Sequence, residues 1–232
     1  MNLSIIVPVF NEEDRIRPFL ADLSNFTQKL KDYEIIFIND GSKDNTLDIL
    51  AEFSRKDKRI RIISYKGNMG KGYAVRKGIM SAKGEKIIFI DADGSTKPRE
   101  IANMLPLLDE FDVVVGDRTH YESSIDQPVL RQTTGRLFNF YANLIFGINV
   151  KDNLCGFKGF RHKAAINLFR NMVSNRWIFD VEIFYKIRKN NYSLHQMSIK
   201  WEHREGTKIK FFDPFKMFLQ LILLRIKIIR AR

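Results

Sequence analysis

The chain holds one cysteine, Cys155, among its 232 residues. An internal disulfide is therefore impossible, and a lone thiol fits a reducing compartment. No run of about 18 apolar residues occurs, so no segment is expected to span a bilayer. A basic N-terminal stretch followed by a long apolar core is also missing. Met1-Asn2-Leu3-Ser4 runs straight into a short apolar segment and then Glu12-Glu13-Asp14, and a cleaved signal peptide is not expected. Nor is there an internal repeat or a low-complexity segment. Acidic charge is in deficit: 27 Asp and Glu face 39 Lys and Arg, a formal net charge of +12. That imbalance favours an anionic partner, whether nucleic acid, a phosphorylated substrate or an anionic membrane surface.

What is present is a regular alternation. Leu3–Val9 is a short run rich in Ile and Val and reads as a strand. Asn11 is a plausible N-cap for the helix that follows, with Glu12, Glu13 and Asp14 in its first turn. Ile16, Phe19, Leu20, Leu23, Phe26 and Leu30 give that helix one buried face. A second strand, Glu34 to Ile38, ends at Asn39-Asp40-Gly41-Ser42, and Asp44 or Ser42 is expected to cap the next helix. A third, Ile60 to Tyr65, is followed by the glycine-rich turn Gly67-Asn68-Met69-Gly70-Lys71-Gly72 and a helix to about Met80. Ile87 to Ile90 is the fourth strand. A helix begins near Pro98, and Asp112 to Gly116 is the fifth strand, ending at Asp117-Arg118. Repeated strand–helix units imply a parallel sheet covered on both faces.

The fourth strand ends at Asp91-Ala92-Asp93-Gly94. Ligands of open α/β sheets collect at the carboxyl ends of strands. Two hard oxygen donors at such an end suit Mg²⁺ or Mn²⁺, which would hold a diphosphate. Read alone, the pair fits a solvated acidic turn equally well.

After residue 118 the pattern changes. Thr119 to Gln132 is polar and irregular, the kind of long loop that carries function. Leu137 to Phe146 has a strongly apolar helical face. Further helices are expected near Lys163 to Met172 and from Asp180 to Lys189, with a strand in Ser193 to Trp201. The tail from Phe211 to Arg232 is apolar on most of its circumference and basic at Arg225, Lys227, Arg230 and Arg232. It fits an interfacial helix whose cations reach lipid headgroups, or a helix docked on protein. The expected organisation is 1–118 as a nucleotide-binding half, 119–210 as the acceptor-binding half of the same domain, and 211–232 as a basic amphipathic helix.

Together, Val7-Pro8-Val9-Phe10-Asn11-Glu12, Asn39-Asp40-Gly41-Ser42, Asn68-Met69-Gly70-Lys71-Gly72 and Asp91-Ala92-Asp93-Gly94 resemble a family 2 glycosyltransferase of the GT-A fold. Cys155-Gly156-Phe157-Lys158, Arg176-Trp177-Ile178-Phe179-Asp180-Val181-Glu182 and Gly206-Thr207-Lys208 point to its polyprenyl-phosphate branch. Within that branch the dolichyl-phosphate β-glucosyltransferase group is resembled first and the dolichol-phosphate mannose synthase group second. The resemblance implies a mostly parallel sheet flanked by helices, with C-terminal amphipathic helices at a membrane interface. The eukaryotic glucosyl enzymes carry an N-terminal membrane anchor absent from this sequence, so attachment is expected from the helices after residue 130.

By the same resemblance Pro8, Phe10, Glu12, Asp40, Lys71 and Asp91 border a nucleotide-sugar. Asp93 and Asp91 hold Mg²⁺ or Mn²⁺. Asp40 can accept hydrogen bonds from a base or ribose and Phe10 can cover an aromatic ring. Arg118, Arg131, Arg204 and Lys208 fall in the loops where the family binds a lipid phosphate or the donor diphosphate. Asp152 is the candidate base or orienting carboxylate, equally readable as a turn residue; Asp180 and Glu182 are weaker candidates, and His203 is weak evidence for a diphosphate contact. Cys155 reads as structural.

The expected activity is an inverting hexose transfer, with UDP-glucose preferred, to dolichyl or polyprenyl phosphate at the cytosolic face of a membrane, with the protein peripherally attached. The alternatives are GDP-mannose as donor, or a glycan or protein hydroxyl as acceptor. A nucleic-acid-binding module would fit the charge but leaves the paired aspartates unexplained, and no nucleic-acid partner is expected.

Overall fold

The computed structural model describes residues 1–119, 129–202 and 213–230, with side chains described except at 129–134, 213–217 and 230. Five strands arise where the apolar runs predict them: β1 (Leu3–Val9), β2 (Tyr33–Asn39), β3 (Ile60–Ser64), β4 (Lys86–Ile90) and β5 (Val113–Asp117). Two more follow, β6 (Phe157–Arg161) and β7 (Leu194–Ser198). The helices are α1 (Ile16–Thr27), α2 (Thr46–Ser54), α3 (Lys71–Ile79), α4 (Glu100–Glu110), α5 (Val129–Phe146), α6 (His162–Arg170), α7 (Phe179–Lys189) and α8 (Asp213–Arg230). The helical start at Val129 shortens the loop expected to reach Gln132.

The seven strands form one sheet in the order β3-β2-β1-β4-β6-β5-β7. It is mostly parallel. The exception is β6, antiparallel to both β4 and β5, which enters from the second half of the chain and separates two strands that alternation alone would place side by side. Gly159 brings β6 close under α4: a Cβ there would lie 2.5 Å from Met104 Sδ.

Period-two alternation sends side chains to two separate cores. Ile6, Ile36, Ile38, Phe89 and Val115 point into one, with residues of α3 and α5 to α8. Ile5, Val7, Ile35, Phe37 and Ile88 point into the other, with residues of α1, α2 and α4. Both faces are thus covered.

One capping expectation is corrected. α1 begins at Ile16, not after Asn11, and has no acidic residue in its first turn. Asn11 instead takes a positive φ of 49°, and its neighbours bond to the loop after β2. Asn11 N–H donates to Ser42 Oγ, Glu12 N–H to Thr46 Oγ1 and Glu13 N–H to Asp44 Oδ2. Asp44 also accepts from Thr46 N–H at the start of α2. These polar groups lace two strand-end loops together, a tertiary use that local capping rules do not foresee.

The tail is both docked and exposed. Leu221 and Leu224 of α8 are buried in the first core, and Phe218 meets Tyr141 of α5 edge-on at 5.0 Å. Leu219, Ile222, Leu223, Ile226 and Ile229 remain 40% to 55% exposed. Among the described residues, no helix is long and apolar enough to cross a membrane.

Candidate active site

Those of the predicted residues that are described lie around the carboxyl ends of β1, β2, β4 and β5. Asp40, just past β2, accepts from Met69 N–H at 2.7 Å and Gly70 N–H at 2.9 Å. It therefore fixes the glycine turn that opens α3. Each carboxylate oxygen keeps a further lone pair for a ligand. Gly70 is required at this turn: its φ is 102°, and a Cβ would lie 2.5 Å from Asn175 O. Glu12 is gripped by Arg15 through Nε and Nη2, both at 2.9 Å, so its carboxylate is already engaged. Pro8 lies in β1, paired with Ile38, and Phe10 follows directly.

Lys71 is the first residue of α3, and its Nζ lies 2.7 Å from Asp91 Oδ2. Its charge is directed at the end of β4. Burial works against the Lys71 cation, but Asp91, Asp180 and Asp93 outweigh it and hold its pKa above the ordinary value. Burial likewise pushes the Asp91 carboxyl up, Lys71 opposes that rise, and Asp93 adds to it. Asp93 accepts from Ser95 N–H at 2.9 Å, which fixes the turn after the strand. Among the described residues, no group of three or more His, Cys, Asp or Glu gathers to hold a metal.

Asp91 rests against Gly156, where a Cβ would fall 1.8 Å from Asp91 Oδ2. Asp91 N–H also donates to Gly156 O at 3.0 Å. The same loop carries Asp152, whose carboxylate takes Arg118 Nε at 2.6 Å and Nη2 at 2.8 Å. Burial would raise the Asp152 pKa, but Arg118 outweighs it and the carboxyl ends below its usual range. Trp201 lies beside this pair, its ring centroid 5.5 Å from the Arg118 guanidinium carbon. Of the other expected cations, Arg131 lies in α5 with its side chain outside the described residues, and Arg204 and Lys208 lie outside them altogether, as does His203.

Two buried charged groups, Lys158 and Asp180, extend the site. Lys158, only 1% exposed in the middle of β6, bonds Asp180 Oδ1 at 2.7 Å and also donates to Cys155 O. Asp180 in turn faces Lys71. Acidic and basic groups thus alternate from Asp91 through Lys71 and Asp180 to Lys158, with Asp93 a second acid beside Asp91. A lysine inside an otherwise buried strand was the available signal. Glu182 has a different role: it accepts from Val173 and Ser174 N–H and pairs with Lys186, bracing the α6–α7 loop. Cys155 is buried, and burial with Asp152 nearby pushes its thiol up to about 12, which makes it inert at neutral pH.

Known proteins resemble this chain in sequence and in fold. Dolichyl-phosphate beta-glucosyltransferase of Dictyostelium discoideum is 32% identical over 235 residues, which cover 94% of this chain and 71% of that protein. The Homo sapiens protein of the same name is 30% identical over 243 residues, covering 97% and 75%. Among solved structures, glucosyl-3-phosphoglycerate synthase from Mycobacterium tuberculosis, crystallised with Mn²⁺, UDP and glucosyl-3-phosphoglycerate, superposes with a TM-score of 0.72. It is 17% identical, with 97% of this chain and 79% of that one covered, and it establishes the shared fold. The profile of Glycosyl transferase family 2 matches residues 4–169, a span that holds the carboxyl ends of β1 to β6. The chain belongs to glycosyl transferase family 2.

Proposed function

We propose that the protein transfers glucose from UDP-glucose to dolichyl or polyprenyl phosphate, with inversion, at the cytosolic face of a membrane. The observation that carries the acceptor class is the Arg118–Asp152 pair. A sugar or protein hydroxyl must lose a proton as it attacks, which calls for a base with a pKa near the working pH. Asp152, held below the ordinary carboxylate range by Arg118, is a weak base. A phosphate monoester, with its second pKa at about 6, arrives already ionised. Its oxygen attacks the anomeric carbon, the bond from that carbon to the diphosphate oxygen breaks, and UDP departs with the electron pair. No proton has to move. Arg118 is placed to hold the incoming phosphate, and Asp152 to orient Arg118.

On the donor side, Asp40 and Phe10 border the nucleoside, and Lys71 and Asp91 lie towards the sugar and diphosphate. Asp93 and Asp91 supply hard oxygen ligands of the kind Mg²⁺ and Mn²⁺ prefer. Because they are only two carboxylates, diphosphate oxygens and water would complete the shell. A divalent ion bound there would neutralise charge on the departing diphosphate. The M. tuberculosis relative in fold binds Mn²⁺ and UDP, and the Dictyostelium and human relatives are named for dolichyl phosphate and glucose.

The exposed apolar stripes of α5 and α8 are the proposed seat on the bilayer. Lys227 is exposed among them, which suits anionic headgroups. The deciding assay incubates the protein with radiolabelled UDP-glucose, dolichyl phosphate and Mn²⁺. Label entering organic-extractable lipid is the expected result. Absence of label there with UDP-glucose, GDP-mannose and UDP-N-acetylglucosamine alike would sink the proposal.

A further inference from the structure

At about 100° per residue, α5 presents three distinct faces. Phe138, Ala142 and Phe146 are buried in the core. Leu137, Phe140 and Leu144, on the far side, are 56% to 68% exposed. Between them lie Asn139 and Asn143, one turn apart, and both side-chain amides bond to the loop that carries the acceptor-site carboxylate. Asn139 Nδ2 donates to Lys151 O at 3.0 Å, and its Oδ1 accepts from Asn153 N–H at 3.3 Å. Asn143 Nδ2 donates to Val150 O at 2.9 Å, and its Oδ1 accepts from Asn153 Nδ2 at 3.3 Å.

Every bond in this ladder ends within residues 150–153. Asp152 sits inside that span and grips Arg118; Gly156, four residues on, forms the seat of Asp91. On its other side the segment is held by β7, through Lys151 N–H donating to Gln196 Oε1. Asn153 is fully buried, and its Oδ1 finds no partner among the described residues. An unmet buried carbonyl costs the desolvation of that group, so this asparagine is poorly explained by stability alone.

We infer that Asn139, Asn143 and Asn153 are positioning residues that tie the apolar outer face of α5 to the Arg118–Asp152 pair. A bilayer pressed against Leu137, Phe140 and Leu144 would thereby set the height of the acceptor site relative to the lipid headgroup. This rests on the membrane seat proposed above. Helix α5 is rigid across its width, so a load on its outer face reaches the asparagine face without any change inside the helix. Side-chain amides that both donate and accept hold the loop in one register, which a single hydrogen bond would not do.

Amide hydrogen exchange on the full chain tests the link. The probe is vesicles of phosphatidylcholine with about one-fifth phosphatidylserine, which supply an anionic surface. In the unaltered protein, vesicles should slow exchange both in α5 and in residues 150–153. In Asn139→Ala/Asn143→Ala, α5 should still respond while 150–153 no longer does; if the double variant does not fold, Asn143→Ala alone is read the same way. Protection of α5 with no change at 150–153 in the unaltered protein overturns the inference and leaves the membrane seat standing. A variant in which 150–153 still responds overturns it too. No response of α5 in the unaltered protein removes the membrane seat and the inference with it. Activity gives a second reading. The kcat ratio between dolichyl phosphate in vesicles and a water-soluble short-chain isoprenyl phosphate should fall about tenfold or more in the variant, since small misplacements of reacting groups cost that much. Equal losses on both acceptors would mark the asparagines as merely structural.

Discussion

Arg118 holds both carboxylate oxygens of Asp152 across 34 positions of sequence, with Nε and Nη2 at 2.6 and 2.8 Å. The pair joins the end of β5 to the loop before β6, so neither residue can be altered without disturbing the other. It also separates the two acceptor chemistries experimentally. A true general base contributes about 10²–10⁴ in rate, so Asp152→Asn would abolish transfer to a hydroxyl. With a phosphate acceptor, the asparagine still accepts one bond from Arg118, and the expected kcat loss is about tenfold, below that range. Steady-state rates on dolichyl phosphate measure it.

The same pair predicts an acid limit. The folded pKa of Asp152 lies below its unfolded value of about 3.9. Its contribution to stability is therefore complete above that unfolded value and is lost as the pH falls through the folded one. Thermal unfolding of the unaltered protein and of Asp152→Asn, followed from pH 7 down to about pH 3, should converge on the acid side. Parallel curves over the whole range would refute the assignment.

Asp93→Ala removes a carboxylate whose recorded bond is to its own turn, at Ser95 N–H. Its melting temperature should stay close to that of the unaltered protein, as for a substitution worth within about 0.5 kcal/mol. Stabilisation by Mn²⁺ with UDP should disappear, and transfer with it. Full activity in this variant would exclude Asp93 as a metal ligand.

Gly156→Ala is the smallest change that reaches the site. The added methyl would lie 1.8 Å from Asp91 Oδ2, so the carboxylate must move. No positive φ is involved at Gly156, and the backbone accommodates alanine without strain. The expected result is a folded protein, native by circular dichroism, that has lost stabilisation by Mn²⁺ with UDP. Unchanged nucleotide binding would mean that Asp91 does not need this seat.

The contrast between Gly156 and Asp91 indicates what the sequence could reveal. Strand–helix alternation located β1 to β5 because hydrophobic periodicity is a local signal. The aspartates at strand ends were legible for the same reason. The antiparallel insertion of β6 was not, because pairing between Ile88 and Gly159 is a long-range choice that leaves no periodic trace. Nor was the pairing of Lys71 with Asp91 legible, because the partner lies twenty residues away. Asn11 read as a helix cap and Glu13 as a first-turn acid because both are local signals, whereas their partners lie beyond β2.

Lys158 and Asp180 offer the sharpest stability test. Both are nearly inaccessible, and their bond is 2.7 Å. Lys158→Met fills the space but strands the Asp180 carboxylate, and breaking a buried pair in this way costs about 3–5 kcal/mol. Burial already raises the Asp180 pKa, and without Lys158, its main opposing charge, it must rise further. A carboxyl whose folded pKa exceeds its unfolded value is stabilising below the unfolded value and loses that contribution as the pH climbs through the folded one. The penalty of Lys158→Met should therefore be larger at pH 8 than at pH 5, the reverse of the Asp152 case. Adding Asp180→Asn removes the titrating group, so the pH dependence should vanish and much of the loss return. Chemical denaturation of the single and double variants at both pH values measures this, and a penalty independent of pH would mean that removing Lys158 does not shift the titration of Asp180 within that range.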